Sequence, residues 1–229
     1  MADLPDLPKT EAAIVERTNA FRKAEGLPPL ARNLALEHAA KQFAKYLAKS
    51  GRFAHEADGR SPADRAKEAG YWYCTVAENL ALNLDSRGFT VDKLADETID
   101  GWKKSPGHRR NMVLPHVTEI GVGIAQAMGP DPKYLTVQLF GRPQHLGYEF
   151  RVRNASAQAV SYNFGGKAHK IEPRVTATHK ACDPGPIQFT GAGSWVGGSR
   201  IDASFEAADK ALYEVTGRAD GKVQVEVQK

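Results

Sequence analysis

The first half of the chain contains apolar residues at helical spacing, separated by short breaks. Residues 11–24 predict a first helix. A second helix is expected to begin after Asn33, whose side chain is a good N-cap, and to end at Gly51. The positions that repeat on the apolar faces of these two helices are Ile14, Thr18, Phe21, Leu36, Ala40, Phe43 and Leu47.

Two further helices are indicated by the residues at their starts. Ser61, Pro62 and Asp64 have the order of a capping box with proline in the first turn, so a short helix is expected there, ending at Gly70. A fourth helix is expected to begin at Thr90 and to have a continuous apolar face. That face consists of Val91, Leu94, Ala95, Thr98, Ile99 and Trp102.

Three segments of the same region have strand character: residues 71–82, 119–125 and 134–140. In residues 119–125, glycines alternate along one side of the predicted strand. Helices mixed with only a few strands predict a layered α/β sandwich.

The apolar pattern changes to a period of two at Leu146, so a second domain is expected over residues 146–229, after a first domain over residues 1–145. Short strands at this spacing predict a small antiparallel β-sandwich. A hairpin is expected at the end of the chain, with its turn at Asp220 and Gly221, and residues 191–198 are expected to form a flexible loop. The alternating apolar positions include Tyr148, Phe150, Val152, Val160, Tyr162, Phe164, Ile201, Ala203, Phe205, Tyr213, Val215, Val223, Val225 and Val227.

Composition and charge exclude some classes of function. The chain has 229 residues, 41% hydrophobic and 25% charged, as in ordinary globular proteins. No apolar run reaches the roughly 20 residues of a membrane helix, and the first residues lack a signal-peptide pattern. Lys and Arg outnumber Asp and Glu by 20 to 18 up to Pro143 and by 11 to 9 beyond it, so no basic face for nucleic acid is expected. Cys74 and Cys182 permit one bridge, two free thiols or an intermolecular bond.

Several short motifs follow one another in a fixed order between residues 11 and 143. They resemble the bacterial branch of the CAP superfamily, which comprises cysteine-rich secretory proteins, antigen 5 and pathogenesis-related 1 proteins. The resemblance implies an α-β-α sandwich and a secreted or periplasmic location, with a signal peptide already removed. The motifs are Phe53-Ala-His55, Asp58-Gly-Arg-Ser-Pro62, Ala77-Glu78-Asn79-Leu80-Ala81, Ser105-Pro-Gly-His108-Arg-Arg-Asn-Met112, Thr118-Glu-Ile-Gly-Val-Gly123 and Gln138-Leu-Phe-Gly141.

The resemblance also implies a cleft lined by two histidines and two acidic residues. His55, Glu78 and His108 match three of these four positions, and Ser105 occupies the fourth, where an acid is expected. Ser105 is better interpreted as the N-cap of a short helix that begins at Pro106. Glu119 is a further carboxylate that the family fold places near the cleft.

Two interpretations of this cluster remain open. Two neutral imidazoles and a carboxylate are ordinary ligands of Zn²⁺ or another divalent metal, and we expect weak binding because Ser105 brings no charge. Alternatively, His55, Glu78 and His108 hydrogen-bond one another and fix the loops around the cleft. His169 and His179 have no supporting cluster in the sequence, and we expect neither to form a site.

Three classes of function follow from the resemblance. The first is a secreted, non-enzymatic binding protein whose cleft takes a divalent metal, a lipid or sterol, or a glycan. The second is a cell-envelope interaction module in which the β-rich domain contacts another envelope component. The third is a metal-dependent hydrolase, which the absence of a recognised Ser or Cys nucleophile motif disfavours.

Overall fold

The computed structural model describes residues 4–190, 201–217 and 223–228. Contacts between residues divide the chain into two compact units, Met1–Gln144 and His145–Lys229. The elements of the first unit are α1 (Leu7–Ala24), β1 (Ala31–Arg32), α2 (Leu34–Ser50), α3 (Pro62–Glu68), β2 (Tyr73–Leu84), α4 (Val91–Lys104), α5 (Pro106–Met112), β3 (Glu119–Ala127) and β4 (Lys133–Pro143). No helix among the described residues is long and apolar enough to cross a membrane.

The first unit is built around one four-stranded sheet with the order β1-β3-β4-β2. The strand β1 runs parallel to β3, whereas the β3–β4 and β4–β2 pairs are antiparallel. Because β2 pairs only with β4, its other side is an edge of the sheet. This edge strand carries the motif of residues 77–81, including Glu78.

Helices cover both faces of this sheet, which is the three-layer arrangement that the resemblance implies. On one face, α1 and α4 pack on the sheet around a core that includes Ile14, Ile99, Trp102, Ile120, Val122 and Phe140. On the other face, α2 and α3 enclose a core that includes Leu36, Phe43, Leu47, Ala66, Val137 and Leu139. The alternation along β4 therefore sends successive side chains into two different cores.

Most helix boundaries follow the predicted caps. The Asn33 side chain accepts hydrogen bonds at the start of α2, and Gly51 ends that helix with a positive φ of 69°. Ser61 and Asp64 form the expected capping box at α3. The first helix begins earlier than residue 11, because the Asp6 carboxylate accepts from the Lys9 backbone N–H and caps an extra turn.

Two glycines of β3 allow α2 to approach the sheet at backbone distance. A Cβ atom at Gly121 would lie 2.3 Å from the Glu37 backbone nitrogen, and one at Gly123 would lie 2.2 Å from the Lys41 backbone nitrogen. Both distances are far below van der Waals contact. The alternating glycines seen in the sequence therefore form the surface of β3 on which the backbone of α2 packs.

The second unit consists of strands that form two four-stranded sheets. Their orders are β10-β9-β6-β7 and β12-β11-β5-β8, and one core is shared between them. The strands are β5 (Tyr148–Asn154), β6 (Val160–Phe164), β7 (Lys167–Ile171), β8 (Thr176–Ala181), β9 (Pro186–Thr190), β10 (Ile201–Glu206), β11 (Leu212–Gly217) and β12 (Val223–Gln228).

The second unit differs in two respects from the antiparallel arrangement expected from the sequence. The β5–β11 pair is parallel, which is possible because strands of the other sheet lie between them in the chain and no short hairpin ties them. The strands β7 and β8 follow no clear apolar alternation, whereas β9 alternates the buried Ile187 and Phe189 with less buried residues, and none of the three was predicted. The β11–β12 hairpin is confirmed, whereas the turn at Asp220 and Gly221 and the loop at 191–198 lie outside the described residues.

Candidate functional site

The first predicted pair of site residues is in direct contact. The Nδ1 atom of His55 lies 2.7 Å from Oε1 of Glu78. Glu78 belongs to β2 and its side chain is 1% exposed, whereas the His55 side chain, in the loop before α3, is 53% exposed. A buried carboxylate therefore holds the Nδ1 edge of a half-exposed imidazole, and its hydrogen bond fixes Nδ1 as the protonated nitrogen when the ring is neutral.

Glu78 is itself held by a buried arginine that the sequence motifs did not single out. Arg65 of α3 donates from Nη2 to Oε2 of Glu78 at 2.8 Å and from Nη1 to Oδ1 of Asp58 at 2.8 Å. The side chains of Arg65 and Asp58 are each 3% exposed. Two carboxylates thus share one guanidinium away from water, and each oxygen of Glu78 has a partner.

The same guanidinium also fixes the loop that carries His55. Arg65 donates to the backbone carbonyls of His55 at 2.9 Å and Arg60 at 2.8 Å, and its Cζ atom lies 3.5 Å from the centroid of the Phe43 ring. Stacking on an aromatic ring suits the planar arginine fork. Arg65 therefore connects α2, the loop of residues 55–60 and the edge strand in one contact set.

His108 reaches the site from the other side of the sheet edge. It lies on α5 and is half-buried. Burial lowers the pKa of His108, and the neighbouring His55 lowers it further. The two imidazoles are therefore close enough to interact electrostatically, and His108 is biased towards its neutral form at neutral pH.

Asparagine side chains tie α5 to the strand that carries Glu78. Asn79 donates to the His108 carbonyl at 3.2 Å and to Oε1 of Gln138 at 3.1 Å, and Asn111 donates to the Glu78 carbonyl and to Oδ1 of Asn79, both at 3.0 Å. Glu78 and Asn79 point to opposite faces of β2 because they are consecutive. One of them holds the His55 side chain and the other holds the His108 backbone.

The exposed edge of β2 is closed by side chains rather than by another strand. The Asn111 amide caps the carbonyl of Glu78, and the indole nitrogen of Trp102 donates to the carbonyl of Leu80 at 2.9 Å. These two carbonyls are two residues apart and face the same side of the strand. Trp102 is 2% exposed, so it is a core residue, as expected, that also protects the edge.

The remaining two predicted site residues have local positions. Ser105 lies between α4 and α5 as the N-cap of α5, and its side chain makes no capping hydrogen bond. Glu119 accepts from the Tyr71 hydroxyl at 2.5 Å and from the Asn33 amide at 3.1 Å. Glu119 therefore joins the start of β3 to the start of α2, and its two oxygens are used there.

Only some of the predicted ligands are placed so that they could hold a metal ion. The described residues hold no group of three or more His, Cys, Asp or Glu side chains that converge on one point. Both oxygens of Glu78 are engaged, so this carboxylate stands behind His55 and not beside it. Among the described residues of the site, the imidazoles of His55 and His108 could each offer a ring nitrogen to a cation, with Glu78 as the outer partner that orients His55.

The sequence could not have revealed that Arg65, Asp58, Asn79 and Asn111 hold the site together, although the last three belong to the motifs given above. Asn79 and Gln138 are cross-strand partners in the β2–β4 register, and both are fully buried. The available signal was a polar residue at an interior position of an apolar strand, as at Gln138 among Val137, Leu139 and Phe140. Such a residue needs a buried partner, but only the fold identifies which one.

The His55–Glu78 contact makes a prediction about titration. The hydrogen bond with Glu78 raises the pKa of His55 above its ordinary value of 6.5. We expect Glu78→Gln to lower the pKa of His55 towards 6.5 in an NMR titration that compares the variant with the wild type. Because the pKa is raised by folding, protonated His55 stabilises the fold below about pH 6.5, and this contribution is lost as the pH rises through the folded-state value. An unchanged His55 titration in the variant would contradict the assignment.

Comparisons with known proteins show the family to which the chain belongs. The sequence profile described as the cysteine-rich secretory protein family, CAP, matches residues 15–140. The uncharacterized protein YkwD of Bacillus subtilis (strain 168) is 33% identical over 118 residues, which cover 51% of this chain and 43% of YkwD. The chain thus spans less than half of the length of that relative.

Two solved structures are similar to part of the chain. An outer surface protein from Borrelia burgdorferi has a TM-score of 0.51 and 20% identity, over 59% of this chain and 93% of that protein. An extracellular protein containing a SCP domain from Bacillus anthracis has a TM-score of 0.49 and 24% identity, over 59% of this chain and 41% of that one. The match to the Borrelia protein shows a common fold, and the family profile covers more than half of the 229 residues. The chain therefore belongs to the CAP family of cysteine-rich secretory proteins.

Proposed function

We propose that this protein is an extracellular binding protein whose first unit takes a divalent cation such as Zn²⁺ weakly, through the imidazoles of His55 and His108. The secretory description of the family supports a location outside the cytoplasm. The proposed role is binding, and the residues of the site orient and hold a ligand.

The observation that carries this proposal is the buried carboxylate behind a half-exposed histidine. The Nδ1–Oε1 contact of 2.7 Å leaves the other nitrogen of His55, Nε2, with its lone pair directed away from Glu78. Histidines that bind metals in proteins commonly donate their second nitrogen to a carboxylate in this way. His108 supports the same conclusion, because its lowered pKa keeps a lone pair available.

Weak binding follows from the charge balance of the site. The negative charge of Glu78 is shared with Arg65, whose guanidinium also neutralises Asp58. Ser105 contributes no charge where the family pattern has an acid. Two neutral nitrogens with little net negative charge nearby should hold a dication less tightly than a site with two uncompensated carboxylates.

The test is calorimetric titration of the full chain with Zn²⁺ at about pH 7.5 and about pH 5.5. We expect binding at the higher pH, because protons compete for the imidazoles at the lower one. Replacement of either histidine by alanine should weaken the affinity by at least about tenfold, and Glu78→Gln should weaken it by about 10-fold to 100-fold. His38→Ala, which removes an exposed histidine of α2, is the matched control and should bind as the wild type does. Wild-type affinity in both His55→Ala and His108→Ala would place the cation elsewhere and refute the proposal.

A further inference from the structure

Two histidines that lie in separate strands meet inside the second unit. His169 is in β7 and His179 is in β8, and their ring centroids are 4.9 Å apart at an interplanar angle of 77°. The expectation that they have no supporting cluster is therefore wrong. Because β7 and β8 pair with different neighbours, the sequence gives no sign that the two rings are adjacent.

The pair joins the two sheets of the second unit at one edge. The strand β7 is the outer strand of the sheet β10-β9-β6-β7, and β8 is the outer strand of the sheet β12-β11-β5-β8. Each histidine is half-buried on the inward side of its strand, while its neighbours in the chain are exposed. The contact between the rings is thus a contact between two edge strands that share no backbone hydrogen bonds in the described sheets.

The surroundings of the pair are aromatic. His179 stacks on Phe150 with centroids 5.0 Å apart, and His169 stacks on Tyr162 with centroids 5.1 Å apart. The Tyr162 hydroxyl lies 2.7 Å from Nε2 of His179, and this nitrogen is the one hydrogen-bond partner of that hydroxyl among the described residues. The Phe164 ring also lies beside His179, with centroids 5.7 Å apart.

Among the described residues, no carboxylate offsets a charge on the pair. The charged residues on the strands packed against it alternate with the interior positions and are exposed. The two acids nearest along these strands are occupied elsewhere, since Glu149 pairs with Lys180 and Glu172 pairs with Lys170. The charged residues of β5, β7 and β8 are Glu149, Arg151, Arg153, Lys167, Lys170 and Lys180, and β6 carries none.

We propose that the His169–His179 pair is an acid-sensitive latch, which holds the β7 and β8 edges together at neutral pH and releases them in mildly acidic solution. Two imidazolium ions in ring contact repel each other, and an aromatic setting solvates neither. Release would separate the β7 and β8 edges, so that each outer strand keeps only its backbone pairing with β6 or β5 and opens more readily.

The hydrogen bond of Tyr162 increases the cost of protonation. Burial raises the pKa of Tyr162 to about 12, so the phenol keeps its proton and donates it to the neutral His179 ring. Protonated His179 has a hydrogen on Nε2, so the phenol would have to accept from it and turn its own hydrogen to a site with no described partner. Burial and the charge of His169 lower the pKa of His179 from its ordinary value of 6.5. For a histidine with a lowered pKa, stability is present above about pH 6.5 and is lost as the pH falls through the unfolded and then the folded value.

The experiment is hydrogen–deuterium exchange of the full chain, with a metal chelator present, at about pH 7.5 and about pH 5.0. After correction for the intrinsic pH dependence of amide exchange, β7 and β8 should exchange about tenfold faster or more at the lower pH, while β11 remains protected. His169→Gln keeps the Tyr162 contact of His179 but removes one charge, so it should reduce the acid-induced increase several-fold.

His179→Phe retains a ring beside Phe150 and removes the other charge, so it should also reduce the increase. If this variant does not fold, because it leaves the Tyr162 hydroxyl unpaired, His169→Gln decides the matter alone. Equal protection of β7 and β8 in the wild type at both pH values would overturn the proposal. An undiminished acid response in His169→Gln would overturn it as well, because the response would then come from another group.

Discussion

Arg65→Met is expected to lower the free energy of unfolding of the first unit by about 3–5 kcal/mol. The wild-type guanidinium pairs with Asp58 and Glu78, and all three side chains are at most 3% exposed. Methionine fills a similar volume beside Phe43 but leaves Glu78 buried without a guanidinium and leaves Asp58 with only the partly exposed Arg60 as its arginine partner. Urea unfolding followed by far-ultraviolet circular dichroism measures the loss, because the α-helices of the described chain belong to the first unit.

Two further variants separate the charge effect from the packing effect. Arg60→Met removes a guanidinium that also pairs with Asp58 but whose side chain is 46% exposed, so its cost should be below about 1 kcal/mol. The triple variant with Arg65→Met, Asp58→Asn and Glu78→Gln carries no buried charge at this place, and we expect it to recover part of the stability lost in Arg65→Met. A loss for Arg65→Met no larger than that for Arg60→Met would show that the buried carboxylates do not depend on Arg65.

The helices of the first unit could be predicted because their signals are local. A cap, a proline in the first turn or a glycine at the end acts within a few residues, as at Asn33, Ser61 and Gly51. The exception is the start of α1, where Asp6 caps a turn whose apolar pattern is weak. Here one side-chain oxygen determines a boundary that periodicity cannot show.

The site could be predicted only as a set of residues and not as an arrangement. Motif order singled out His55, Glu78 and His108, but the hydrogen bonds that define their roles join residues far apart in the chain. Whether Glu78 faces a cation or stands behind His55 depends on Arg65, which arrives from α3 and occupies one carboxylate oxygen. No spacing in the sequence determines which of these two roles Glu78 has, because the role depends on how α3 packs against β2.

In the second unit, some strands could be predicted from the sequence and others could not. The apolar alternation of β5 and β6 was clear because their inner faces are fully buried. The edge strands β7 and β8 expose most of their side chains and place histidines at their inward positions, so their pattern resembled a polar loop. A search for alternating apolar residues could not detect these two strands, because half-buried histidines occupy their inward positions.

Gly123→Ala is expected to destabilise the first unit by about 3 kcal/mol, although it adds a single methyl group. The added Cβ would lie 2.2 Å from the Lys41 backbone nitrogen and 2.4 Å from the Ala40 carbonyl carbon. Backbone atoms in the middle of a helix cannot turn aside as a flexible side chain does. The whole of α2 would have to move away from β3, which loosens the core around Leu36, Phe43 and Leu47.

Gly101→Ala is the matched control, because it makes the same chemical change in the same unit with the opposite expected sign. Gly101 lies within α4, and a Cβ there would meet nothing within 4 Å. Alanine favours the helix over glycine by about 1 kcal/mol, so this variant should be more stable than the wild type. Thermal and urea unfolding of both variants measure the difference. If Gly123→Ala were as stable as Gly101→Ala, α2 would have to lie farther from β3 than the contacts at Gly123 require. The close approach of the two backbones could then not be what fixes this helix on the sheet.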